Sequence, residues 1–310
     1  KAPITVSTLK EAEQFFAAGY RDILYAVGFT PAKLDRAKAL AARGANLTLV
    51  TDCIETARGI SGFPVLVEID TDGDRAGLKP DSPDLVPLAR ALRESGCMVA
   101  GVMTHAGASY DSRSLDAIRA MAETERSGAV LAAQRLRDAG FDAPIVSVGS
   151  TPTALFAERL DGVTEVRAGV FVFFDLVMAG IGVCRPEDIA LSVLATVNGH
   201  RPDKNWALVD AGWMALSRDR GTAKQPVDQG YGLVCDLDGK ILPDLTVTSA
   251  HQEHGILARR DGGKLPHLPV GTRVRILPNH ACATGAQHAG YHVVDNNNRV
   301  TAFWERFSGW

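Results

Sequence analysis

Over roughly the first 185 residues, short β-branched runs alternate with amphipathic stretches rich in alanine and charge. This rhythm predicts repeated strand-helix units around a parallel sheet. Strands are expected at residues 4–7, 22–27, 47–51, 64–70, 98–104, 145–148 and 165–168, and helices at 9–18, 31–43, 85–95, 112–139 and 153–160. Several helix patterns open on Ser, Thr, Asp or Pro, the residues that best satisfy or dispense with the first N–H groups. The repeat is that of an α/β protein built on a (β/α)8 TIM-type barrel. Such a barrel has eight strands; seven are legible, and Lys1 stands three positions before the first. The first strand-helix unit is therefore expected to be absent from the front.

Beyond about Arg185 the texture changes to alternating segments at 206–210, 232–236, 246–250, 273–277 and 292–294. Turn signals such as Asp238-Gly239 and the asparagines from Asn296 to Asn298 punctuate them. The expected organisation is a barrel domain over 1–185 and a mostly β C-terminal domain over 186–310.

With 310 residues, 46% hydrophobic and 22% charged, the chain can bury one large core and a smaller one. Its net charge of -3 arises from 33 basic and 36 acidic residues without long runs of one sign. That distribution argues against a nucleic-acid or anionic-membrane partner and for a small-molecule substrate. The longest apolar runs, 145–148 and 169–174, are far too short to cross a bilayer, and no signal pattern opens the chain, so a cytoplasmic protein is expected. Five scattered cysteines, Cys53, Cys97, Cys184, Cys235 and Cys282, read as reduced thiols rather than a disulfide framework.

In a parallel barrel the strand C-termini and the loops after them build the site. The run 64–70 leads into Thr71-Asp72-Gly73-Asp74-Arg75-Ala76-Gly77, where Arg75 can donate to a phenolate or carboxylate oxygen. Flanked by Asp72 and Asp74, it reads equally as a surface ion pair. The run 98–104 ends in His105-Ala106-Gly107-Ala108-Ser109-Tyr110, polar groups among small residues that let a ligand approach, with a hydrogen-bonded core histidine as the plain alternative. After 145–148, Gly149-Ser150-Thr151-Pro152-Thr153 brings backbone N–H groups, hydroxyls and a helix dipole toward one anion, in a pattern that is also an everyday N-cap. Gly169 closes the last barrel strand, where its backbone can approach the same phosphate.

Pro278-Asn279-His280-Ala281-Cys282 follows the strand at 273–277 directly. In extended backbone, residues two apart point the same way, so His280 and Cys282 can grip one metal. Two protein ligands leave open positions, which suits a Lewis acid better than a closed structural site, and the thiolate-imidazole pair suits zinc. A buried cysteine beside a surface histidine is the commoner source of so short a pattern. His251, Glu253 and His254 follow another strand, either as further metal or substrate contacts or as a solvated turn.

Together these motifs resemble the D-serine dehydratase and D-threonine aldolase family along essentially the whole chain, from Ile4-Thr5-Val6-Ser7-Thr8-Leu9 to Trp310. The resemblance implies a pyridoxal 5'-phosphate (PLP) barrel of the alanine-racemase N-terminal type, followed by a β domain that carries a metal site, in a homodimer. It places Arg75 beside the PLP ring oxygen, within Asp70-Thr71-Asp72-Gly73-Asp74-Arg75-Ala76-Gly77, whose spacing before the glycine departs slightly from the family's. His105 and Tyr110 become cofactor neighbours, with Ala108 where the family has a second histidine. Gly149, Ser150 and Thr151 become the phosphate cup, and Gly169 and Val170 a second phosphate contact. His280 and Cys282 become catalytic residues holding zinc or another divalent metal such as manganese. The aldolase branch carries His-x-Asp at this pair, so Cys282 favours the dehydratase branch. The family's Schiff-base lysine sits on the first barrel strand in a His-x-Lys-Thr segment with no counterpart here, so it is expected upstream of Lys1.

The implied activity is that of a PLP- and metal-dependent lyase that converts a β-hydroxy D-amino acid, D-serine or D-threo-3-hydroxyaspartate, to a keto acid and ammonia. The nearest alternative is a D-threonine aldolase, releasing glycine and an aldehyde. A non-catalytic PLP carrier on the same barrel is a second, against which residues 186–310 count. A metal-dependent hydrolase without PLP is a third, weakened by the lack of His and Asp ligands spread over several strand ends.

Overall fold

The computed structural model describes residues 1–309. Seven short runs with apolar side chains on both faces become the strands β1 (Ile4–Val6), β2 (Asp22–Tyr25), β3 (Asn46–Thr51), β4 (Pro64–Ile69), β5 (Met98–Thr104), β6 (Ile145–Val148) and β7 (Glu165–Val166). They lie side by side in sequence order, each pair parallel. Parallel neighbours require crossover connections, and these carry α1 (Leu9–Ala17), α2 (Leu34–Ala42), α3 (Ile54–Gly59), α4 (Leu85–Glu94), α5 (Leu115–Asp138) and α6 (Thr151–Phe156). Strand alternation then splits the core into two layers. On β4, Val65, Val67 and Ile69 join Leu85, Leu88 and Leu92 of α4 in one cluster, while Leu66 joins Leu24, Val50, Ala100 and Met103 in another. Glu68 follows Leu66 on that second face and is buried there.

Local chemistry starts the helices where the pattern predicts, with small shifts. Thr8 caps α1 by accepting from Glu11 N, and Ser114 caps α5 by accepting from Ala117 N. The helix expected at 153–160 begins at Thr151 and stops at Phe156, because Ser150 and Thr153 form a reciprocal capping box and Ala157 is extended. The expected start at 112 moves to Leu115, and Gly107–Asp111 winds into a separate 3-10 turn.

The chain divides into two compact units, one of Lys1–Gly169 with the residues from Phe307 on, the other of Val170–Arg306. In the first, the Phe307 ring packs edge-on against Phe15 at 4.8 Å, and Thr8 Oγ1 donates to Gly309 O at 2.7 Å. The second holds α7 (Leu176–Gly180), β8 (Val193–Arg201), β9 (Trp206–Val209), α8 (Trp213–Leu216), β10 (Leu233–Cys235), β11 (Ile241–Ala250), β12 (Gly255–Arg259), β13 (Arg273–Leu277), α9 (Ala281–Gly285), β14 (Gly290–Val294) and β15 (Val300–Glu305). Six strands close an antiparallel barrel in the order β10-β11-β12-β9-β8-β13, which leaves no free edge. Val197, Val209, Val234, Leu245, Val247, Leu257 and Ile276 fill it. β14 and β15 form a separate hairpin. Among the described residues no helix is long and apolar enough to cross a membrane.

Candidate functional site

Three loops after β4, β5 and β6 are stitched together in the first unit. Asp72 Oδ2 accepts from Ala108 N at 2.9 Å, joining the Arg75 loop to the His105 loop. Asp52, just after β3, accepts from Gly77 N at 2.8 Å and pins the far end of the Arg75 loop. Glu125 of α5, 2% exposed, accepts from Ala106 N at 3.1 Å and Gly149 N at 2.8 Å, joining the His105 loop to the Gly149 loop. Its carboxyl is pushed above the usual range by burial, against which the bonds from Thr153 and Gly149 act.

Within this frame His105 directly follows β5, with Nδ1 3.0 Å from Gly149 O. A carbonyl only accepts, so Nδ1 carries the proton and Nε2 keeps its lone pair. Burial, helped by the positive charges of Arg75 and Arg167, lowers the His105 pKa to about 4. The ring is therefore neutral near pH 7. The Tyr110 ring lies alongside at 6.0 Å, tilted by 34°. Arg75 is exposed and makes no ion pair with Asp72 or Asp74, each of which engages the His105 loop instead: Asp74 packs on Gly107. The surface-pair alternative for Arg75 is thereby removed. Lys79, the lysine of the same loop, is held by Asp70 at 2.8 Å.

The Gly149 loop differs from its expected form in one respect. The N–H of Gly149 is bonded to Glu125 and that of Ser150 to Thr153 Oγ1 at 3.0 Å, so neither points outward. A buried carboxylate and a capping box draw these donors into the fold. The Ser150 hydroxyl meets Ser109 Oγ at 2.9 Å and Thr153 Oγ1 at 3.0 Å, and Thr151 is buried in the first turn of α6. Gly149 itself is obligatory, since at φ +135° a Cβ would stand 2.0 Å from Arg167 O. Gly169 is exposed and has no atom within 4 Å of the place a Cβ would take, so its backbone is open to a ligand; Val170 begins a 3-10 turn directly after it.

Arg167 is a site residue that sequence reasoning passed over. Its guanidinium donates to Ser147 Oγ at 2.8 Å and to Thr104 O, and it lies 3.9 Å from Glu165. Burial lowers its pKa, with Glu165, Glu125 and Glu68 opposing. Two guanidiniums, a neutral imidazole and an open glycine backbone form a set that fits an anionic aromatic cofactor such as PLP.

In the second unit, His280 lies on extended backbone as expected, at φ -135° and ψ 112°, but Cys282 does not. His280 is the N-cap of α9 and Cys282 sits in its first turn, because Thr284 N and Ala286 N bond back to His280 O and Cys282 O. The helix start is itself built. Asp175, 1% exposed, accepts from Ala281 N at 2.9 Å while capping α7, and buried Asn279 accepts from Thr222 N at 3.1 Å and donates to Gly230 O at 2.7 Å. The two side chains still meet, since the Cys282 sulfur is a hydrogen-bond partner of His280. Asp219 Oδ2 accepts from His280 Nδ1 at 2.6 Å, which leaves Nε2 as the nitrogen that could take a ligand. Asp219 first and Cys282 second push the His280 pKa up to about 10. No cluster of three or more His, Cys, Asp or Glu suited to a metal occurs among the described residues. An imidazole with its second nitrogen held by a carboxylate, next to an exposed thiol, is a donor set that fits a two-ligand, open metal site. His251, Glu253 and His254 form the exposed turn between β11 and β12, closed by His251 N to His254 O at 2.8 Å.

Comparison with known proteins gives two family matches in series. Residues 2–177 match the model of the alanine racemase N-terminal domain, and residues 190–294 that of a putative serine dehydratase domain. D-threo-3-hydroxyaspartate dehydratase of Delftia sp. strain HT23 is 57% identical over 99% of this chain and 84% of its own length. D-serine dehydratase of Dictyostelium discoideum is 30% identical over 96% of this chain and 80% of its own. The solved Delftia structure superposes with a TM-score of 0.96 at 56% identity, covering 100% of this chain and 85% of that one. That enzyme has also been solved as a histidine-to-alanine mutant and, in the metal-free form, as a cysteine-to-alanine mutant, the two substituted positions lying two residues apart. D-threonine aldolase of Filomicrobium marinum superposes with a TM-score of 0.80 at 25% identity, covering 98% of this chain and 81% of that one.

Proposed function

The chain belongs to the D-serine dehydratase and D-threonine aldolase family, with an alanine-racemase-type N-terminal domain, and from this we propose that it is a PLP- and metal-dependent lyase that dehydrates a β-hydroxy D-amino acid, with D-threo-3-hydroxyaspartate as first substrate and D-serine as second. The observation that carries the reading is the His280–Cys282 pair, prepared by Asp219 on Nδ1 and by Asp175 under the helix start. The Delftia enzyme, in which a histidine and a cysteine at the same spacing were the residues chosen for substitution, supports it. The softness of the thiolate supports zinc as the ion, with manganese as the alternative. A homodimeric assembly in the cytoplasm is part of the same reading and rests on the resemblance alone.

Bound PLP supplies an electron sink next to Cα, and a divalent ion supplies Lewis acidity toward the β-hydroxyl. The chain's own groups do the rest. Arg75 offers an exposed guanidinium to an anionic oxygen, and Arg167 fixes a second positive charge nearby. His105, held neutral, presents Nε2 as an acceptor beside Tyr110. Ser150 and Thr151 hold the loop at the start of α6, while the open backbone of Gly169 lets an anion approach. Asp219, by holding Nδ1, would leave His280 Nε2 free to take such an ion together with Cys282. The Cα proton and the β-hydroxyl leave together as water, and the enamine so formed takes up water to give a keto acid and ammonia.

Product analysis tests this. The chain in its natural full-length form is incubated with PLP, zinc and D-threo-3-hydroxyaspartate, D-serine or D-threonine, with and without chelator. Keto acid and ammonia that vanish with chelator are expected. Glycine and an aldehyde would place it in the aldolase branch instead, and bound PLP without turnover would make it a carrier.

A further inference from the structure

Glu125 takes no part in the chemistry above, yet its carboxylate is deeply buried, 2% exposed, and stands where two site loops meet. It lies in the middle of α5, in the stretch Ala122-Glu123-Thr124-Glu125-Arg126, whose charges read as a solvated face. Glu123 and Arg126 do form an exposed helix pair at 2.6 Å, but Glu125 turns inward. A single oxygen, Oε1, accepts from Ala106 N at 3.1 Å and from Gly149 N at 2.8 Å. Ala106 follows His105, and the carbonyl of Gly149 accepts from His105 Nδ1 at 3.0 Å. A ring of contacts thus runs from Glu125 to Gly149 N, through Gly149 to its carbonyl, across to His105, and back through Ala106 N.

Burying a carboxylate is costly unless it is hydrogen-bonded, and the same chain stability is reached more cheaply with an apolar side chain in a helix interior. What the carboxylate adds is geometry: one acceptor to which two separate strand ends are tied. We infer that Glu125 is a positioning residue of the cofactor site, holding Gly149 O on His105 Nδ1 and thereby selecting the tautomer that leaves Nε2 free to meet the cofactor. This rests on the PLP reading for its purpose, but the tautomer is a property of the chain alone.

The test compares Glu125→Met, which keeps the volume and removes the acceptor, with Glu125→Gln, which keeps Oε1. In the wild-type chain without cofactor, the nitrogen chemical shifts of His105 should report a proton on Nδ1. Glu125→Gln should retain that signature and a PLP dissociation constant within about threefold of wild type. Glu125→Met should move the proton to Nε2, the tautomer favoured by a free ring, and weaken PLP binding by about tenfold or more, in line with the loss of a ligand-orienting partner. Glu125→Asp, which withdraws the acceptor by one methylene, gives a graded reading should the Met variant fold poorly. An unchanged His105 tautomer and unchanged PLP affinity in both Met and Asp variants would overturn the inference, as would a Gln variant as impaired as the Met one. If wild type binds no PLP, the functional reading fails by itself, and the tautomer still decides the role of Glu125.

Discussion

Gly149 and Gly169 carry the same expected role, backbone contact to a phosphate, yet the structure separates them sharply. At Gly149, φ is +135° and an added Cβ meets Arg167 O at 2.0 Å, Arg167 N at 2.7 Å and Arg167 C at 2.9 Å, all backbone atoms that no rotamer can move. Holding a non-glycine residue in that conformation costs about 1–3 kcal/mol. Relieving the clash parts β6 from the chain after β7 and breaks the Arg167 N to Val148 O bond of 2.8 Å, worth about 1 kcal/mol. It also shifts the carbonyl that holds His105. Gly149→Ala should therefore destabilise the first unit by about 3–5 kcal/mol, a fall in melting temperature of roughly 10 °C. Gly169→Ala, with open space and no positive φ, should change stability by less than about 0.5 kcal/mol. Melting followed by far-UV circular dichroism, with denaturant titration of both variants, checks this. A Gly149→Ala variant within 1 °C of wild type, or a Gly169→Ala variant as unstable as it, would refute the reasoning.

The other predictions concern charge and strain. Asp219→Asn keeps an oxygen on His280 Nδ1 but removes its charge, so metal affinity measured by chelator competition should fall about 10- to 100-fold. Because the His280 and Asp219 side chains are 41% and 40% exposed, the pair itself adds little stability, and the metal-free melting temperature should stay within about 2 °C. His105 has a folded pKa of about 4 against 6.5 in the unfolded chain, so the unfolded state binds the extra proton. Its contribution to stability is constant above about pH 6.5 and is lost as pH falls from there toward 4. His105→Asn should therefore lose less stability between pH 7 and 4.5, by about 2 kcal/mol, in denaturant titrations at the two pH values; an unchanged difference would show that the ring is not held neutral by the fold. Ser217 sits at φ +74° and ψ 165°, a region open mainly to glycine, just before the Asp219 segment. Ser217→Gly relieves this at the cost of the bond from Asp219 N to Ser217 Oγ, 3.2 Å; a net gain of about 1 kcal/mol is expected in the unfolding free energy, and a loss would mean that the side-chain bond outweighs the strain.

Local pattern alone was sufficient for much of this protein. Met98–Thr104 and Ile145–Val148 run as strands over the expected residues, since apolar runs bounded by turn residues have one stable arrangement in a parallel sheet. The loops after those strands carry the groups singled out for chemistry, because strand ends and small residues are visible in order along the chain. Three strands of the second unit were not legible. β12 is five residues and starts on a glycine, β15 is exposed along its whole length, and β8 mixes apolar with polar positions through its last residues. β15 pairs with its hairpin neighbour β14, whereas β12 and β8 each add to a neighbouring strand a partner farther away along the chain, β9 and β13, and β13 bonds both β10 and β8 to close the barrel.

The same distinction governs the site. That His280 and Cys282 belong together was readable from a spacing of two, but the backbone that unites them is a helix start, decided by Asp175 and Asn279 from distant and neighbouring segments. Glu125, Arg167 and Asp219 carried no local signal, because a charged residue in a helix, at a strand end or between arginines reads as solvated until tertiary packing removes the water. Sequence by itself determines what short-range sterics and periodic burial determine: the strand-helix order, the caps and the types of group at each loop. Only the folded chain decides which charges lose their solvent and which backbone donors they must then take as partners.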